Sequence, residues 1–302
     1  IQPYIHRTPV LTSGIMNDLA AADLYFQCEN FQKAGAFKSR GATNALMSLP
    51  EELVQKGVCT HSSGNHAAAL SRAAALKGAN AYIVMPENSS RVKVAAVQHY
   101  GGQIHFCKPN LESRESTLME VQQRTGATEI HPYNDYMIIA GQATAAMELL
   151  EDVHSLDILM APVGGGGLLS GTALAARYFS PGTRVIAAEP KGADDAWRSF
   201  TKGSFVPSVN PDTIADGLLT SLGSLTFPII LEGVEAIQTV SEKSIVQAMR
   251  LVWERMKIII EPSSAVPLAA VMENPDVYRN KKIGIIFSGG NVDLEKLPWK
   301  PN

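Results

Sequence analysis

The chain has 302 residues, 45% of them hydrophobic and 18% charged, with a formal net charge of −3. This is the balance of an ordinary globular protein of roughly two structural units. It offers no basic surface for nucleic acid or an anionic membrane, no apolar run near the ~18 residues of a spanning helix, and no signal-peptide pattern in Ile1–Arg7. Three cysteines (Cys28, Cys59 and Cys107) are too few and too scattered for a disulfide framework or a thiolate metal site. Reduced thiols in a cytoplasmic protein are expected.

In chain order, the first unusual segment runs from Asn30 to Gly41. A lysine at a helix start is ordinarily solvated, but Ala34-Gly35-Ala36-Phe37 precedes Lys38 with small and apolar groups. Desolvation there would ease loss of the ammonium proton and leave a nucleophilic amine. Thr60-His61-Ser62-Ser63-Gly64-Asn65-His66 then leads into a helix expected over 67–76. Small hydroxyls, an amide and an imidazole at a helix N-terminus make a carboxylate nest, although Ser62 or Ser63 could serve only as a cap and His66 only as a buried histidine.

Strand-like runs follow at 81–86 and 103–106, with a polar helix expected over 112–124, and further strands at 158–161, 185–188 and 283–287. Helices are expected over 171–178 and 242–257. Such alternation predicts parallel sheets covered on both faces, with ligands in the loops at the carboxyl ends of the strands.

Two further loops of that kind stand out. Val163-Gly164-Gly165-Gly166-Gly167-Leu168 lies between a strand and a helix. Four glycines let backbone N–H groups converge on an anion at the helix N-terminus, and the absence of a following Lys-Ser/Thr excludes the nucleotide P-loop. A monophosphate anchor remains; the alternative is a flexible turn. Ser288-Gly289-Gly290-Asn291-Val292-Asp293 ends the last apolar strand, where a serine can point at a ligand or simply belong to a Gly-rich turn. A fourth loop, Glu189 to Ala196, offers Glu189 and Asp195 with backbone carbonyls between them, a donor set suited to Mg²⁺ or Ca²⁺. Its alternative is a surface acidic loop with Asp194 or Asp195 capping a helix.

Together, the Lys38 segment, the Ser-Ser-Gly-Asn-His loop, the tetraglycine loop and the Ser-Gly-Gly-Asn-Val-Asp end resemble the β-family (fold type II) pyridoxal-phosphate enzymes, in the branch of the serine racemases and serine/threonine dehydratases. The resemblance runs from Thr8-Pro9-Val10 to Asp293, and His131-Pro132-Tyr133-Asn134-Asp135 matches the plant-type pattern. It implies an α/β fold with two parallel-sheet domains of the tryptophan-synthase-β-like architecture. Residues 1–56 plus 135–302 would form a large cofactor-binding domain, and 57–134 a small mobile substrate domain.

By the same resemblance, Lys38 is the Schiff-base lysine of pyridoxal 5'-phosphate, with Phe37 beside the cofactor. Asn65 meets its phenolic oxygen, Gly164, Gly165, Gly166 and Gly167 hold its phosphate, and Ser288 meets its pyridine nitrogen. Ser62, Ser63, Asn65 and His66 take the substrate carboxylate, helped by Arg114, and Ser63 is the second acid/base opposite Lys38. Glu189, the Ala193 carbonyl and Asp195 ligate an activating Mg²⁺ (or Ca²⁺ or Mn²⁺). The activity implied is interconversion of L- and D-serine with concurrent dehydration to pyruvate and ammonia, in a homodimer. The alternative is a dehydratase of L-threonine, L-serine or threo-3-hydroxyaspartate. The chain is expected to begin partway into the family's first helix. No regulatory amino-acid domain follows Asn302, which points away from isoleucine-inhibited threonine deaminase.

Overall fold

The computed structural model describes residues 1–62 and 64–299. Ten strands form two sheets: β1 (Val10–Leu11), β2 (Asp23–Cys28), β3 (Val58–His61), β4 (Ala81–Pro86), β5 (Gln103–Cys107), β6 (Thr128–Glu129), β7 (Ile158–Pro162), β8 (Arg184–Pro190), β9 (Ala236–Val240) and β10 (Lys282–Phe287). The larger sheet has the order β1-β2-β10-β7-β8-β9, the smaller one β5-β4-β3-β6. Every pairing is parallel except that of β1 with β2, where Val10 lies opposite Gln27. The two parallel sheets are as expected, and β1 adds a short antiparallel edge to the larger one. A two-residue strand carries no periodicity from which its direction could be read.

The apolar runs mark the inner strands because both their faces are covered. All five residues of β7 are buried, and successive ones face opposite ways. Ile158 and Met160 join a core with Phe26, Phe287 and the Pro262–Glu273 helix, in which the rings of Phe26 and Phe287 stack with centroids 4.6 Å apart. Leu159 and Ala161 join the core on the other face, with Leu149 of the Tyr136–Asp152 helix and Leu169 of the Gly167–Phe179 helix. The smaller sheet, whose strands all fall within 57–134, shares a third core with Ala42, Ala45 and Leu46 of the Lys38–Met47 helix. The lysine-bearing helix therefore packs on the smaller sheet and also meets the Tyr136–Asp152 helix, which shares a core with the larger sheet.

Glycines bring the helices around Lys38 to backbone contact. A Cβ on Gly141 would stand 2.6 Å from the Gly41 Cα, and one on Gly171 would stand 2.6 Å from the Ala143 nitrogen. Beside this contact Arg40 is buried between two carboxylates. Its Nε and Nη2 donate to Glu29 at 2.7 and 2.8 Å, and Nη1 and Nη2 donate to Glu148 at 2.9 and 2.6 Å. Burial works against the Arg40 charge, but the two acids outweigh it and raise its pKa. Replacing Arg40 with methionine would strand two buried carboxylates, so urea unfolding should show a loss of about 3–5 kcal/mol.

Candidate active site

The four loops singled out in the sequence all follow the carboxyl ends of strands: β3 precedes Ser62, β7 precedes Gly164, β8 precedes Lys191 and β10 precedes Ser288. Three of them surround the Lys38 segment. A short antiparallel bridge pairs Ala36 with Gly289. Around it, Phe37 N donates to Ser288 O at 2.9 Å and Gly290 N donates to Gly35 O at 2.9 Å. Gly35 adopts φ +69°, and a Cβ there would meet Asn291 Oδ1 at 2.4 Å, so this link requires glycine. Lys38 follows at the first turn of its helix. Its Nζ donates to Pro132 O at 2.7 Å and lies 5.1 Å from the Phe37 ring centroid. Burial lowers its pKa from 10.5 to about 8, against the opposing pull of Glu261.

The Asn65–Lys77 helix starts at Gly64 with no side-chain cap, and Ser62 Oγ instead accepts from Gly64 N at 3.3 Å. The capping role considered for Ser62 is therefore absent, and the positive end of the helix has no side-chain cap among the described residues. Ser63 lies outside the described residues. His66 is buried, and its Nε2 donates to Ile130 O at 3.0 Å. Burial, then the Lys38 charge, lower its pKa to about 3, so the ring is neutral near pH 7. Arg114 brings a cation close enough to depress His61, and its buried Nε has no hydrogen-bond partner among the described residues.

The tetraglycine loop is not a flexible turn. Gly166 has φ +90° and begins the Gly167–Phe179 helix, again without a side-chain cap. A Cβ on Gly165 would stand 2.3 Å from the Tyr133 ring, and one on Gly164 would stand 2.9 Å from Leu218 Cα. Thr226 Oγ1 donates to Gly165 O at 2.8 Å, tying the loop to the following chain. Glycine thus serves both the backbone conformation and the close approach of Tyr133, and it leaves a helix N-terminus suited to a phosphate. Ser288 is buried with its Oγ 3.0 Å from Ser264 Oγ, a neutral hydroxyl pair.

The acidic loop is buried rather than superficial: Glu189, Ala193 and Asp195 are 0%, 4% and 1% exposed. Glu189 accepts the N–H groups of Ala196 and Trp197 at 2.9 and 2.8 Å. Burial pushes its pKa up to about 9 and that of Asp195 up to about 6. Ser208 lies near enough to Asp195 to oppose that rise, but neither Asp195 oxygen has a partner at ordinary hydrogen-bonding distance among the described residues. Two adjacent buried carboxylates, one of them orphaned, fit a hard cation, although among the described residues no three His, Cys, Asp or Glu side chains cluster around a common point.

A buried lysine with a lowered pKa, an uncapped glycine helix start and a neutral serine pair fit a phosphorylated aldehyde cofactor. Residues 1–289 match the family described as Pyridoxal-phosphate dependent enzyme. The chain belongs to that family. Among curated relatives of this family, the β-hydroxyaspartate dehydratase of Paracoccus denitrificans is 52% identical over 99% of this chain and 95% of its own length. The serine racemase of Dictyostelium discoideum is also 52% identical, over 98% and 93%. The structure of maize serine racemase superposes with a TM-score of 0.95 at 48% identity, covering 97% of this chain and 91% of that one. Pyridoxal phosphate is accordingly the cofactor, and the chain is an enzyme of the racemase and dehydratase kind.

Sequence reasoning missed Glu261, Asn291 and Tyr133. The first two stand in plain view beside a proline and within a glycine loop, but their partners are more than 190 residues away. Tyr133 lay within a motif already noted and could have been tied to the glycines by size alone. At pH 7 a lysine with pKa about 8 is about one-tenth neutral, against about one part in 3,000 at 10.5. Formation of a hydride-trappable adduct between the cofactor-free protein and pyridoxal phosphate should therefore rise with pH up to about 8 and then level off. Peptide mass spectrometry should place the adduct on Lys38.

Proposed function

We propose that this enzyme interconverts L- and D-serine and, at the same site, dehydrates serine to pyruvate and ammonia. The observation that carries the reading is Lys38: a buried amine poised near neutral pH, opposite an uncapped helix start that suits a carboxylate. Pyridoxal phosphate, when bound, withdraws electrons from the substrate Cα and makes its proton acidic. The protein's own work is to orient the amino acid and to move that proton.

Lys38 Nζ holds or releases the proton on one side of Cα, and Ser63 is assigned the other side. Ser62, Asn65 and the first turn at His66 receive the carboxylate, with the Arg114 guanidinium adding charge. His66 contributes through the helix start, because its neutral ring is engaged with Ile130. Phe37 flanks the cofactor, Asn65 and Ser288 meet its ring heteroatoms, and Gly164 to Gly167 receive its phosphate. A neutral hydroxyl at Ser288, in place of a carboxylate, leaves loss of a β-hydroxyl in competition with return of the Cα proton. Segment 57–134 closes as a unit over residues 1–56 and 135–302, excluding water from the site. The three cysteines are free and buried, which suits a reducing cytoplasm. No helix among the described residues is long and apolar enough to cross a membrane. The proposed assembly is a homodimer.

A dehydratase acting mainly on threo-3-hydroxyaspartate is the second reading, favoured by the Paracoccus relative at equal identity and by the Arg114 Nε, without a partner among the described residues, as a site for a second carboxylate. Chiral separation after incubation with L-serine, alongside keto-acid release from serine, threonine and hydroxyaspartate, decides between them. D-Serine at no time point would remove the racemase reading. Ser63→Ala should abolish racemisation while sparing part of the elimination from L-serine.

Glu189, the Ala193 carbonyl and Asp195 are the proposed ligands of Mg²⁺, Ca²⁺ or Mn²⁺. Both carboxylates have raised pKa values, so they hold protons at low pH that a cation must displace. Calorimetric titration with Mg²⁺ should show affinity rising from pH 6 to pH 9, with proton release, and Asp195→Asn should remove the binding.

A further inference from the structure

Glu261 is buried at the start of the Pro262–Glu273 helix, far in sequence from every segment that suggested chemistry. Its backbone N–H donates to Gly289 O at 3.0 Å, and a Cβ on Gly289 would lie 2.7 Å from its Oε1. The carboxylate therefore rests on the same glycine that bridges to Ala36. Asn65 Nδ2 donates to Glu261 Oε1 at 2.8 Å, and Asn291 Nδ2 donates to Asn65 Oδ1 at 2.9 Å. Asn291 Nδ2 also donates to Ala34 O at 2.8 Å, which fixes its own orientation.

These bonds settle which way the Asn65 amide faces. Its oxygen is taken by an N–H donor and one amide hydrogen by a carboxylate, so flipping the group would set two oxygens and two donors against each other. Asn291 Nδ2 is committed to Ala34 O and can only donate, so the Asn65 oxygen must face it whether or not Glu261 is ionised, and a buried amide N–H left without an acceptor is costly. One Asn65 N–H remains for a ligand oxygen. The Glu261 charge also reaches Lys38, whose amine it pulls back toward protonation. Burial raises Glu261 itself to about 8, so its charge is conditional near neutral pH.

We propose that Glu261 and Asn291 are positioning residues that clamp the Asn65 amide from both sides, so that a single N–H donor is presented to the oxygen on the cofactor ring. This rests on the cofactor reading of Lys38 and Asn65 and adds the device that orients the latter. Neither residue touches the reacting atoms; both act through Asn65.

The test is a double-mutant cycle read by cofactor binding rather than turnover. The dissociation constant of pyridoxal 5'-phosphate and the absorbance maximum of the bound cofactor are measured for the wild type, Asn65→Ala, Glu261→Ala, Asn291→Ala, Glu261→Gln and the pairwise combinations with Asn65→Ala. Glu261→Ala and Asn291→Ala should each weaken binding roughly tenfold and shift the absorbance maximum in the direction that Asn65→Ala does. In combination with Asn65→Ala they should add less than about twofold. Glu261→Gln, which keeps an acceptor for Asn65, should restore most of the affinity.

Losses that multiply in the double variants, or an unchanged absorbance maximum in Glu261→Ala and Asn291→Ala, would overturn the proposal, as would normal binding by Asn65→Ala. Should Glu261→Ala not fold, the Asn291→Ala cycle and the Glu261→Gln spectrum decide the same question. A wild-type protein that forms no cofactor band would instead sink the reading of Lys38, so the two failures are distinguishable.

Discussion

The active cleft is referenced to one short piece of backbone pairing, the bridge between Ala36 and Gly289. Parallel sheets deliver loops to the same edge, but the loops themselves come from distant parts of the chain and have no inherent register. Here two N–H···O bonds across segments 35–37 and 288–290 set that register. Lys38 is the next residue along one segment, Ser288 lies on the other, and Glu261 is bonded to Gly289 between them. A shift of one residue in this pairing would move an amine, a hydroxyl and a carboxylate together. The chemistry depends on backbone geometry before it depends on any side chain.

Around that reference the protein withholds water from ionisable groups, and burial is the leading cause of every large shift in the site. Lys38 is lowered to about 8, His66 to about 3 and His131 to about 4, while Glu261 rises to about 8. The imidazoles are thereby held neutral, and the groups that exchange protons near pH 8 are Lys38 and Glu261, with opposite charges when ionised. Arg40 is paired with Glu29 and Glu148 in a separate buried network. Structural charge and exchangeable charge are segregated on the two sides of the Lys38–Met47 helix.

Much of this was legible in the residues. The strands of the larger sheet read as apolar runs because both faces are covered, and β4 matches its sequence bounds because Pro86 ends it. The glycine loop and the Lys38 segment were visible because their composition is costly unless something uses it. What escaped was relational. Glu261 before Pro262 reads as an ordinary helix start, and nothing local shows that Asn65, 196 residues away, donates to it. The Glu189–Asp195 loop left a cation site and a surface acidic loop both open, and only the packing shows its carboxylates to be buried. Likewise β1 has too few residues to announce its direction, and nothing local shows that Ala42, Ala45 and Leu46 share the core of the smaller sheet.

The contact between Gly41 and Gly141 carries a consequence beyond stability. Two helix backbones meeting without intervening side chains have no slack, so any added methyl group must be accommodated by moving a whole rod. One of those rods begins at Lys38, less than one turn from Gly41. The placement of Lys38 is thus set in part by a residue with no functional group, and a search confined to reactive side chains would pass it by.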